Sequence, residues 1–494
     1  MIQTITLSDK HWRLGELGEI LQSGAKIEIS SSIRESIHAK RKILEERIQS
    51  SDEALYGINT GFGALCNTTI NDNELDQLQI NLVRSHACGT GVNINPEIVR
   101  IVLLLKMKSL SFGFSGIRME VLNFLALLYN LEIYPCIPEF GSLGASGDLA
   151  PLAHLSLSFL AEGKVFYKNQ IYPTAELFEE LHIQAPGLKA KEGLALLNGT
   201  QYSTALLIYN LFLANNLIAQ SSAITALSLE AFNGNVVAFH PEIHSIRNQL
   251  GQQFCAEQVL HYLQGSDIHH REKSSVQDPY SFRCVPQVHG ASLDAIDYVS
   301  IIAEREMNAV TDNPLILTDG SVVSGGNFHA QPIALAADFL AIALAELASI
   351  SERRIYQLII GQRGLPDFLT EDPGLHSGYM ILQYSAASLV SMNKQLATPA
   401  SVDSIISSKA QEDHVSMSAN AGLKCKQIAQ HTTNVLAMEW MTASRAMNWR
   451  KDWKMNAQLQ KIVDEYRQLI PFESADHVLA DQIPITAQFL KNKF

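Results

Sequence analysis

Between Tyr202 and Leu229 the chain runs without one charged residue. A stretch of that length can cross a bilayer, which takes about 20 apolar residues, or it can lie as a helix buried on every side inside a bundle. Its own composition decides between them. Asn210, Asn215, Asn216, Gln220, Ser221 and Ser222 are spread along it, and no Lys/Arg cluster marks a cytoplasmic end. The stretch is therefore expected to be a central helix buried by protein, with no membrane involved. A chain that must wrap such a helix is expected to be mainly α.

The same pattern returns at Ile333–Ile350, where Asp338 and Glu346 are the only charges in an Ala/Leu-rich run opening after Pro332 and closing in Ser351-Glu-Arg-Arg354. Apolar residues at helical spacing predict further helices over Glu412–Arg445 and over Pro96–Leu110, the latter with Pro96 suited to a first turn. Strand patterns are short. Lys164–Tyr172 alternates around a Lys-Asn turn, and Leu315–Val323 carries Asp-Gly between two apolar runs, chemistry that favours tight hairpins. The expected fold is thus a long-helix bundle with a smaller mixed N-terminal part and short β-ribbons. A soft boundary near residue 203 divides 1–203 from 204–494, and no repeat, low-complexity tract or flexible linker interrupts either part.

With 37 Lys+Arg against 50 Asp+Glu and a formal net charge of −13, the chain lacks the basic surface that nucleic acids and anionic membranes demand. At 47% hydrophobic and 18% charged residues, it can bury a large core. Its first ten residues show no basic region followed by an apolar one, so a cytoplasmic address is expected. Six scattered cysteines without a C-x-x-C pair read as reduced thiols.

The chemistry begins at Gly141-Ser-Leu-Gly-Ala-Ser-Gly-Asp-Leu-Ala-Pro-Leu-Ala-His154. Taken alone, this is a helix start with Ser146 or Asp148 as the N-cap. The fourteen residues together resemble the ammonia-lyases of histidine and the aromatic amino acids, in which Ala-Ser-Gly cyclises to 4-methylidene-imidazol-5-one. Small residues suit that reaction, because an unhindered Gly nitrogen must attack the Ala carbonyl and Ser must lose its hydroxyl. The positions here are Ala145, Ser146 and Gly147. Removing ammonia from an amino acid needs an electrophile that no ordinary side chain provides.

Further motifs follow in the family's order from about Leu55 to Met417. Tyr56-Gly-Ile-Asn-Thr-Gly-Phe-Gly63 is similar to the family's tyrosine loop, which makes Tyr56 the implied base for the β-proton. Leu78–Gly91 supplies His86 beside the substrate's side chain, and Leu197-Asn-Gly-Thr-Gln201 supplies Asn198 as a hydrogen-bond partner of the electrophile. Gln277–Gly290 supplies Tyr280 as a further catalytic residue and Arg283 as a bidentate holder of the substrate carboxylate. Thr311-Asp-Asn-Pro314 with Gly325-Gly-Asn-Phe-His-Ala330 makes Phe328 a pocket wall. Gln411-Glu-Asp-His-Val-Ser-Met417 makes Glu412 the partner of an imidazole N–H, although by itself Glu412 reads as an acidic residue at a helix start.

The resemblance implies elimination of ammonia from L-histidine to give trans-urocanate, in a homotetramer whose active sites each draw on three chains. A tyrosine ammonia-lyase or aminomutase is the alternative, since Arg84-Ser-His-Ala-Cys-Gly-Thr90 also resembles some bacterial tyrosine-type members. Neither metal nor nucleotide is expected. His240-Pro-Glu-Ile-His244 has its Glu misplaced for a zinc helix, His269-His270 stands alone, and no G-x-G-x-x-G follows a strand.

Overall fold

The computed structural model describes residues 3–50, 55–61, 63 and 68–494. Phe62 of the tyrosine loop and Cys66 lie outside them. The charge-free stretch lies within one helix, Gln201–Phe232, and three other long helices are Val285–Met307, Gln331–Ile359 and Ser418–Ala446. The mainly α architecture expected from the pattern is what the chain adopts.

Two compact units make up the chain. The first holds Met1–Tyr209, Ser300–Asp338 and Pro399–Leu423; the second holds Asn210–Val299, Phe339–Thr398 and Lys424–Phe494. The first unit thus regains chain twice after Tyr209, which a single cut near residue 203 does not contain. Its small sheets are ribbons. Thr4–Leu7 pairs in parallel with Lys26–Ile29, while Lys164–Tyr167 and Gln170–Pro173 form a hairpin whose turn residues, Lys168 and Asn169, both have positive φ. That turn geometry matches the twist of the flanking strands. Leu315–Ile316 and Val322–Val323 form the second expected ribbon, with Gly320 at φ +82°.

Two of the long helices, Gln201–Phe232 and Gln331–Ile359, are long and apolar enough to span a bilayer, but 67% of each apolar window is buried inside the protein. Protein partners engage several of their polar groups. In the second unit, Ser228 and Ser351 donate to the two carboxylate oxygens of Glu439 at 2.6 Å, and Arg354 adds bonds of 2.6 and 2.7 Å to the same pair. All four residues are fully buried. This node corrects the expected end of the helix at Ser351–Arg354: Glu352 and Arg354 are interior, Arg353 is exposed, and the helix continues to Ile359.

A second correction concerns Glu412–Arg445, where the helix begins only at Ser418. Met417 has φ +54° and its N–H donates to Leu143 O at 2.8 Å, so the chain enters the helix from a non-helical segment pinned elsewhere. Pro96–Ser111 starts where expected, capped by Asn95, whose side chain accepts from Glu97 N at 2.9 Å.

The histidines weighed as metal ligands have other work. His240 Nδ1 accepts from Glu242 N, His244 bonds Ala238 O and Gln252, and His269 bonds Leu263 O. Cys88, Cys136, Cys255 and Cys284 are free thiols.

Glu439→Ala leaves the Arg354 guanidinium buried without its counter-charge. It is expected to cost about 3–5 kcal/mol, read as a lower denaturation midpoint; an unchanged midpoint would contradict the role given to this node.

Candidate active site

Residues 144–147 bend sharply before the helix Leu149–Ser156 begins. Gly147 sits at φ +72° against Gly199, so close that a Cβ would lie 2.4 Å from Gly199 O. The two backbones are joined there, Asp148 N donating to Gly199 O at 2.8 Å. Gly144 is confined likewise, since its Cβ would lie 2.2 Å from Ser416 Oγ. These approaches require glycine for steric reasons, beyond the freedom of φ.

Asp148 stands at the N-cap position, yet its side chain makes no capping bond. It is fully buried and instead accepts from Ser142 Oγ at 2.8 Å, Ser203 N at 2.8 Å and Ser203 Oγ at 2.7 Å. Burial raises its carboxyl above the usual range, against the pull of those donors. Beside it, Lys106 is buried in the middle of its helix and donates to Ala195 O at 3.2 Å and Asn198 O at 2.9 Å. Burial pulls that ammonium down to about 7. Lys191 and Asp312 form a further buried pair at 3.1 Å. The bent segment therefore rests on a polar, interlocked floor.

Above it opens a cavity of about 1270 Å³, lined in part by Tyr56, His86, Ala145, Ser146, Asn198, Phe328 and Glu412. All belong to the first unit. Asn198 Nδ2 donates to Ser146 O at 2.6 Å, and Ser146 Oγ donates to Glu412 Oε1 at 2.6 Å. Tyr56 is half-buried, its hydroxyl oxygen accepting from Gly63 N at 3.1 Å. His86 Nδ1 lies 2.9 Å from Leu82 O, which assigns the proton to Nδ1 and leaves Nε2 an acceptor. Burial pulls this imidazole below its ordinary value, while the Leu82 carbonyl and the Glu412 charge act the other way.

Tyr280 and Arg283 are not among the lining residues. They line a cleft of about 580 Å³ in the second unit, where the Arg283 guanidinium lies 4.7 Å from the Tyr280 ring centroid. Glu412 is not a helix-start residue either; it lies in an extended segment bridged to Ser407. Other lining residues were not singled out from the sequence, among them Asn313, His329, Ser408 and His414. The His329 and His414 rings stack at 5.9 Å, and both sit inside motifs already recognised around Phe328 and Glu412.

A cyclised Ala145-Ser146-Gly147 fits this setting. The segment is already bent, nothing bulkier than glycine is admitted at 147, and a side-chain donor stands on the Ser146 carbonyl that the ring would retain. Among the described residues no group of three or more His, Cys, Asp or Glu side chains is placed to hold a metal ion.

Comparison with known proteins points to the same family. The family described as aromatic amino acid lyase matches residues 13–468. Histidine ammonia-lyase of Geobacillus thermodenitrificans is 45% identical over 492 residues, 99% of this chain and 97% of that protein. Among solved structures, histidine ammonia-lyase from Trypanosoma cruzi superposes with a TM-score of 0.91 at 36% identity, covering 99% of this chain and 94% of that one. Tyrosine aminomutase from Streptomyces globisporus superposes with a TM-score of 0.94 at 31% identity, covering 99% and 97%. With a family match over most of its length and relatives aligned nearly end to end, the chain belongs to the aromatic amino acid lyase family and is an enzyme of the carbon–nitrogen lyase class.

Proposed function

We propose that the protein is a histidine ammonia-lyase, eliminating ammonia from L-histidine to give trans-urocanate. The observation that carries this reading is the meeting of Tyr56, His86, Ser146, Asn198, Phe328 and Glu412 around one cavity. Ala145, Ser146 and Gly147 would hold the 4-methylidene-imidazol-5-one group, which supplies an electrophilic C=CH2 where no ordinary side chain offers one.

The chain's own residues then have separable tasks. Asn198 donates to the Ser146 carbonyl and withdraws electron density from it. Tyr56 takes the β-proton of the substrate. His86, with Nε2 as acceptor, and Glu412 address the imidazole, and Phe328 closes the wall beside it. Arg283 pairs with the substrate carboxylate through its planar fork, with Tyr280 beside it. Because these two do not line the cavity of their own chain, the reading includes a homotetramer in which neighbouring chains bring them to it. A cytoplasmic address and an absence of any metal requirement belong to the same proposal.

One observation favours a second reading. The tyrosine aminomutase of Streptomyces globisporus superposes on this chain as well as the histidine ammonia-lyase of Trypanosoma cruzi does, with TM-scores of 0.94 and 0.91.

A panel of L-histidine, L-tyrosine and L-phenylalanine, with products identified, separates the two. Preference for histidine, abolished by Ser146→Ala, is the expected outcome. Preference for tyrosine would make the protein a tyrosine ammonia-lyase or aminomutase with the same electrophile. Activity surviving in Ser146→Ala would overturn both.

Asn198→Ala is expected to lower kcat by about 10²–10³-fold, the usual effect of losing one aimed donor, with little change in KM. A rise in KM at constant kcat would mean that Asn198 only binds substrate.

A further inference from the structure

We infer that Glu412 has an earlier task than substrate binding: it is the proton carrier for the dehydration of Ser146 that produces the electrophile. The inference rests on the reading of residues 145–147 given above. In the linear chain the Ser146 hydroxyl donates to Glu412 Oε1 at 2.6 Å, and the other oxygen, Oε2, accepts from Ser407 Oγ at 2.9 Å.

The carboxylate is held there by backbone from two directions. Ser407 N donates to Glu412 O at 2.9 Å, so Ser407 braces the residue through both main chain and side chain. Downstream, Met417 N donates to Leu143 O at 2.8 Å and Ser416 Oγ to Gly144 O at 3.1 Å, which fixes the Glu412 segment alongside the Ser146 segment. The contact joins residues 266 apart in sequence. Asp148 lies nearby in sequence, but its oxygens are taken by three donors from Ser142 and Ser203.

The chemistry needs such a group. Making C=CH2 from Ser146 removes the Cα proton, forms the Cα–Cβ double bond with that electron pair, and breaks Cβ–Oγ. Hydroxide is a poor leaving group, so Oγ must take a proton as it departs. A carboxylate that gains a proton from Cα and yields one to Oγ balances the step, releases one water and ends unchanged. No oxidant, metal or nucleotide enters. Departure of Oγ also removes the donor from Oε1, which then becomes available for an imidazole N–H. The two roles of Glu412 are successive uses of one oxygen.

The mass of the full-length protein tests this without reference to activity. Ring closure and dehydration each remove one water, so complete maturation lowers the mass by about 36 units and ring closure alone by about 18. Wild type, Glu412→Gln, Glu412→Asp, Ser407→Ala and Ser146→Ala are expressed alike and weighed at intervals, with thermal melting as the check on folding. Wild type is expected to lose both waters. Glu412→Gln is expected to form the fully dehydrated species about a hundredfold more slowly and to accumulate the one-water or linear form, while Glu412→Asp restores part of the rate.

Glu412→Gln reaching the two-water loss as fast as wild type would overturn the inference while leaving the electrophile intact. A wild type that keeps its linear mass would remove the electrophile reading and this inference with it. Should Glu412→Gln fail to fold, Ser407→Ala decides, with slowed dehydration supporting the proton carrier and unchanged dehydration refuting it.

Discussion

Everything at the candidate site depends on two backbones touching. Gly147 and Gly199 meet without room for a side chain between them, and the Asp148 N–H to Gly199 O bond closes the contact. That approach brings Asn198 within 2.6 Å of the Ser146 carbonyl and turns Asp148 inward onto Ser203. It also leaves the Ser146 hydroxyl facing the cavity and Glu412. A larger residue at Gly147 would separate the segments and lose these interactions together, while one at Gly199 would collide with the Gln201 and Thr311 side chains. The buried Lys106 ammonium secures the other side by holding the Asn198 carbonyl. Charges so deep are costly unless paired or bonded, and here each bond fixes a segment that the cavity needs.

The same principle operates in the second unit at a larger scale. Glu439 and Arg354 would destabilise an interior separately, but together with Ser228 and Ser351 they tie Gln201–Phe232, Gln331–Ile359 and Ser418–Ala446 at one level. Apolar side chains alone define the register of packed helices less sharply than a four-residue polar node, which is satisfied in one register only. It thereby adds specificity to the stability that apolar burial supplies.

The sequence revealed most where local physics and final structure agree. A charge-free run broken by amides and hydroxyls points to burial by protein, so Gln201–Phe232 was legible, and Asn169 announced a turn because Asn tolerates positive φ. It misled where a distant partner reverses the local meaning. Ser351–Arg354 read as the end of the helix because nothing in the adjacent sequence indicates Glu439. Glu412–Met417 looked helical because its spacing continues into Ser418–Ala446, while Ser407, Leu143 and Gly144 hold it out of the helix. At the site, residue types pointed to chemistry through motifs, yet the hydrogen bond from Ser146 to Glu412 arises only in the fold. So does the division that leaves Tyr280 and Arg283 in their own cleft.

Under the proposed function, this fold turns three of its own residues, Ala145, Ser146 and Gly147, into an electrophile beside the cavity. An electron-density map of the purified wild-type protein at high resolution tests it most directly. Density joining Gly147 N to Ala145 C in a five-membered ring, with no oxygen at Ser146 Cβ and Asn198 still on the Ser146 carbonyl, is the expected result. A linear Ala145-Ser146-Gly147 with its hydroxyl still on Glu412, in protein that is active, would contradict it.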